Sequence, residues 1–183
     1  MTPEEEAKEN RRLKEDKKIY PPFLVEEFKK GREEIRIEEK TGKYIPYNPT
    51  KITDFLNLIH SLWKISNKDY QECFWVRREA PVRGDCFDNT TETFEERAEA
   101  ALDQKDPFIE MTDKQRKMLT HLLHLVEEYE DDPTTPLSRY GENDAPIVAD
   151  PRWDKIRQYA KMVYQEITGE SADLITDMKE IKS

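Results

Sequence analysis

The chain has five glycines, two cysteines and no apolar run long enough to cross a membrane as a helix. Each shortage excludes something. The glycines form neither G-x-G-x-x-G nor the P-loop pattern, so the sequence offers no glycine-rich phosphate cradle. G-x-S-x-G is missing too, and with it the nucleophile elbow of the α/β-hydrolases. Cys73 and Cys86 are thirteen positions apart with no C-x-x-C, which supports neither a redox pair nor a zinc knuckle. The opening MTPEEEAKEN has no apolar signal core, so the chain is expected to be cytoplasmic, with both cysteines as reduced thiols. Positive charge is also in deficit. Thirty basic side chains stand against forty acidic ones, a net charge of -10. An acidic surface repels phosphate backbones and anionic lipid, so neither nucleic acid nor membrane is expected as a partner.

What is present is enough to fold. Charged residues reach 38% and the mean hydropathy is -0.98, yet 36% of residues are hydrophobic and cluster at regular spacing, which argues against disorder. A length of 183 residues suits one domain with a short appended segment. The acidity is uneven. Residues 1–50 carry twelve bases and twelve acids, 51–110 eight and thirteen, and 111–183 ten and fifteen, so the whole excess lies after residue 50. Such a surface suits a basic protein partner, whose encounter it would speed; it also simply keeps a protein soluble.

The periodicity predicts a mainly α fold. Thr2, Pro3 and Glu5 form a helix start with a capping box, but the charged helix that follows has few apolar residues beyond Ala7 and Leu13. After Pro21-Pro22, residues 23–28 have helical spacing, whereas Ile35 and Ile37 alternate with charges and Thr41-Gly42 can turn, which reads as a small β-hairpin. PYNPT near 48–50 punctuates the chain. The expected organisation is therefore a charged helical arm plus hairpin over 1–49 and a compact helical domain of five to six helices over 50–183. Amphipathic helices are expected over 52–65, within 90–106 with Thr91 or Thr93 as cap, within 111–133 with Thr112 as cap, and from Asp150-Pro151 to Gly169, with a last short one after Ser171. A loop of about twenty residues precedes Asp150, a length often tied to function. Between Ile65 and Pro81, Ser66 with Asp69 is expected to cap a helix carrying Tyr70, Cys73, Phe74 and Arg77 on one face, leaving Trp75 outside; a strand over 73–77 is the alternative.

Few residues suggest chemistry. His121 and His124 are three apart on a helix and could share a metal with Glu128 or Asp132, but they lack H-E-x-x-H and flank an apolar stripe. His60 reads as a hydrogen-bonded boundary residue. Cys73 with Arg77 one turn on could be an activated thiol, yet no local Cys-His signature accompanies it, and a buried cysteine usually packs as a small apolar residue. No catalytic residue, metal or cofactor is assigned. The surface candidates are Trp75 with Arg77 and Arg78, the acid run Glu127, Glu128, Tyr129, Glu130, Asp131 and Asp132 at a helix C-terminus, where the dipole disfavours it, and Tyr140 in the loop beyond.

The words FLNLIHSLWKISNKDYQECFWVR, TDKQRKMLTHLLHLVEEY and DPRWDKIRQYAKMVYQEI together resemble small acidic α-helical bacterial proteins that accompany polymorphic or contact-dependent toxins as immunity proteins. The resemblance spans residues 50–168 and not the first fifty. It implies a non-catalytic cytosolic inhibitor that caps a cognate toxin domain; the chain's acidity makes a basic domain the expected partner, and the chain itself is expected to be a monomer or a small homo-oligomer. Two other classes compete with it: a metal- or thiol-dependent enzyme using Cys73 or His121 and His124, and a DNA-mimicking inhibitor of a nucleic-acid enzyme.

Overall fold

The computed structural model describes residues 1–46, 48–103, 109–137 and 143–173. These are mainly helical and form two compact units, residues 1–48 and 49–173. In the first unit, α1 (Pro3–Ile19) starts at Thr2, whose hydroxyl accepts from the Glu5 amide while the Glu5 carboxylate accepts from the Thr2 amide. α2 (Pro22–Thr41) runs back alongside it. An ion-pair ladder joins the two: Glu5 with Lys40 at 3.2 Å, Glu9 with Arg36 at 3.2 Å, and Arg32 with both Glu9 at 3.0 Å and Asp16 at 2.8 Å. The Arg32 hydrogen bond, against the cost of burial, holds the Glu9 carboxyl below its usual range. A hairpin of charged helices is thus held where apolar burial is scarce.

The expected β-hairpin is not there: residues 33–41 continue α2, and Gly42, left-handed at φ 65°, is its C-cap rather than a hairpin turn. The described residues form no strand, and their isolated backbone bridge joins Lys51 and Glu110. The reason is compositional. Glu, Lys and Arg are good helix formers and poor strand formers. The alternating Ile35 and Ile37 do not enter a core, being 57% and 46% exposed.

The second unit has α3 (Leu56–Ser66) at its centre, preceded by a 3₁₀ turn over Ile52–Asp54. α3 packs on α5 (Phe87–Leu102) and α8 (Pro151–Thr168), while α6 (Asp113–Asp131) packs on α8 and α5. Covered on two sides, α3 buries Leu58, Ile59, Leu62, Trp63 and Ile65. α7 (Ala145–Val148) is a single turn inside the stretch expected to be wholly loop. α5 begins earlier than expected. Cys86 is its N-cap, its sulfur accepting from the Asn89 amide, and Thr91 and Thr93 lie inside the helix with hydroxyls donating to carbonyls four residues back. The helix expected after Ser171 lies largely outside the described residues.

The stretch after α3 departs most from expectation. Asn67, not Ser66, caps the short α4 (Lys68–Tyr70) by accepting from the Tyr70 amide, and Ser66 donates back to the Trp63 carbonyl. α4 runs straight into a π-helical segment, Gln71–Val76, closed by the Arg77 amide on the Glu72 carbonyl at 3.1 Å. The wider turn brings Tyr70, Gln71, Cys73, Phe74 and Trp75 all inward. Trp75 is therefore not the exposed residue that α-helical spacing implies. It is fully buried among Phe87, at 6.0 Å between ring centroids, and Trp153, at 6.3 Å.

Gln71 is the polar hub of this core. Its Nε2 donates to the Lys64 and Ile65 carbonyls at the end of α3. Its Oε1 accepts from Arg157 Nη1 at 2.6 Å and Trp153 Nε1 at 3.1 Å. Arg157 is 2% exposed; its remaining donors reach Asp154 and the Val148 carbonyl. One amide side chain thus ties α3, the π segment and α8 together, with α7 joined through Arg157.

Candidate functional site

The thiol does not form a reactive centre. Cys73 is 3% exposed, and burial pushes its pKa up to about 11, with Arg77 opposing that rise and Glu79 adding to it. Arg77 does sit beside it, with Nη2 2.9 Å from the sulfur, but its Nε donates to the buried Glu79 carboxylate at 2.9 Å. Arg78 is exposed and left-handed, at φ 54°. Burial also raises the half-buried Cys86. We expect a disulfide reagent at pH 8 to modify one thiol of the folded protein, Cys86, and to reach Cys73 only in denaturant; two thiols reacting at equal speed would contradict this arrangement.

His121 and His124 are exposed, and His121 packs edge-on against Tyr159 at 4.8 Å. Among the described residues no group of three or more His, Cys, Asp or Glu side chains is placed to hold a metal ion. Burial holds His60 well below its ordinary pKa, with Lys64 adding to the effect. A shallow groove of about 540 Å³ between α6 and α8 is lined by Met118, Tyr159 and Met162 and rimmed by the Lys114–Glu166 ion pair. It gathers no nucleophile, base or cation cluster.

The acid run at the end of α6 is not one continuous surface. Tyr129 is buried, its hydroxyl donating to Asp150 Oδ2 at 2.9 Å, so it is not a surface anchor. Burial, then Asp150, pushes its pKa upward. Arg152 lies over the Tyr129 ring at 5.6 Å, pairs with Asp150 at 2.9 Å and reaches Asp132 at 3.3 Å. This guanidinium offsets the acids at the negative end of the helix dipole. Glu128 and Asp131 are exposed, and Tyr140 lies outside the described residues.

Glu127 and Glu130 belong to a different feature. On α5, Asp88, Glu92, Glu95 and Glu99 fall at i, i+4, i+7 and i+11, one stripe about 16 Å long. Glu127 and Glu130 of α6 act on it from across the seam. Burial, the adjoining Glu130 carboxyl, and the charges of Glu130, Glu127 and Glu99 push the Glu95 pKa up to about 8. Asp88 is raised by burial, then by Asp144, Glu130 and Glu92. Among the described residues, no base is among the groups that chiefly set these shifts. Sequence reading missed this stripe. Its signal was four acids at helical spacing, together with a Glu at position 130 continuing the apolar row of Leu119, Leu123 and Val126.

No protein-family model, curated protein or solved structure matches the chain. The fold and surface place it in a broad class only: a mainly helical protein, with no described helix long and apolar enough to span a membrane.

Proposed function

We propose that this chain is a non-catalytic, protein-binding inhibitor of the immunity type, which neutralises a basic toxin domain in the cytoplasm through the acidic face of α5 and the end of α6. One observation carries the reading: Asp88, Glu92 and Glu99 are exposed on one stripe, and Glu127 and Glu130 crowd it from α6, with no base of the described residues among the groups that chiefly set its pKa shifts. Such a field favours a complementary basic surface and speeds encounter with it. The buried thiol and the scattered histidines support a binding role over a thiol- or metal-dependent enzyme. The test is association with proteins encoded beside this chain, measured by titration calorimetry for the complex and by stopped-flow for its rate of formation. A complex whose formation slows as salt rises is expected; no complex with any of them would overturn the reading.

A second reading is favoured by the same stripe. Bases are interleaved along the chain as a whole but do not set the shifts on this face, so a DNA-mimicking inhibitor of a nucleic-acid enzyme would use it equally well. Competition decides between the two: duplex DNA displaces the inhibitor from its partner only if it acts as a mimic.

A further inference from the structure

We propose that Glu95 and Glu130 form a proton-held latch across the seam between α5 and α6, closed while the two carboxyls share a proton and loosened when it is lost. Glu95 Oε1 is buried, and no protein N–H or O–H reaches it. The carboxyl within hydrogen-bonding reach is that of Glu130, on the opposite helix. Two carboxylates are acceptors only, so the contact is attractive with one proton between them and repulsive with none.

Among the described residues, no base supplies a substitute for that proton. Glu99 on α5 and Glu127 on α6 add negative charge. The elements packed most extensively on α5 are α3 and α6; its first turn also meets Trp75, Trp153 and Asp144, of which the charged one, Asp144, is acidic. α3 brings Lys64, which pairs with Asp85 at 3.1 Å, and His60, which burial keeps uncharged. Of the nearby arginines, Arg97 of α5 lies over the Phe55 ring at 5.9 Å and Arg116 of α6 donates to the Leu102 carbonyl. The folded pKa of Glu95, about 8, stands above its ordinary 4.5. The folded state therefore binds more protons than the unfolded state between these values, and stability falls as pH rises through that window.

The test uses the full chain in urea at pH 5 to 9, as wild type, Glu95→Gln, and the exposed control Glu96→Gln. For the wild type and the control, the unfolding equilibrium constant should rise roughly tenfold or more between pH 6 and 9. Glu95→Gln, which supplies a permanent N–H donor, should remove most of that rise. A Glu95→Gln protein that keeps the wild-type slope would overturn the latch. Carboxyl carbon-13 shifts of the unmutated protein give a second readout: the latch predicts a Glu95 midpoint near 8, and one near the ordinary value of 4.5 would contradict it.

Discussion

Replacing Gln71 by leucine is expected to destabilise the protein by about 2–5 kcal/mol, although the two side chains are similar in volume. The substitution leaves Arg157 Nη1 and Trp153 Nε1 in the core without the oxygen they share. Asp154 still pairs the guanidinium charge, but a buried Nη1 donor left without an acceptor is costly, and the orphaned indole N–H adds to it. A Gln71→Leu, Arg157→Met double variant removes the charge together with its acceptor. It should cost clearly less than the sum of the two single variants, because the penalty in each single variant comes largely from the partner left behind. Urea unfolding of the four proteins measures this directly. Additive costs, or a Gln71→Leu cost within about 0.5 kcal/mol as at an ordinary surface site, would contradict the hub.

Trp75→Ala is expected to cost about 3–5 kcal/mol, the range for removing a large aromatic from a packed core. An exposed Trp75 would instead give a change within about 0.5 kcal/mol. The difference follows from the π turn, which carries the indole between Phe87 and Trp153. Trp75→Phe should recover much of the loss. It keeps an aromatic ring in the cluster and removes an indole N–H that has no hydrogen-bond partner. Urea unfolding of the same kind checks both, and a Trp75→Phe protein as unstable as Trp75→Ala would argue against ring packing as the source of the effect.

The helices of the second unit were legible because their apolar rows recur at three and four and their caps are chemically explicit. Thr112 with Gln115 and Asp150 before Pro151 are examples. Two features were not legible, for different reasons. The alternation at Ile35 and Ile37 imitates a strand, but with no sheet to join and ion-pair partners on α1, helix propensity prevails. The π segment has no compositional signature, since its extra residue per turn becomes favourable only when Tyr70, Gln71, Phe74 and Trp75 all find space in the core. The candidate surface shows the same division. The acids themselves are plain in the sequence, but which of them meet depends on how α5 lies beside α6. That packing joins Glu127 and Glu130 to Asp88, Glu92, Glu95 and Glu99, and leaves Tyr129 and Asp132 bound to the Asp150–Arg152 network.

The reading of this protein as an acidic inhibitor rests on that stripe, and charge reversal on it is the most direct test. Glu92 and Glu99 are exposed, so Glu92→Lys, Glu99→Lys should leave folding intact. Association of this variant with the partner identified among locally encoded proteins is then compared with that of the wild type by stopped-flow at low and moderate salt. The account predicts at least about a tenfold slower association at low salt, with the gap narrowing as salt screens the field. An unchanged rate at both salt concentrations would contradict it.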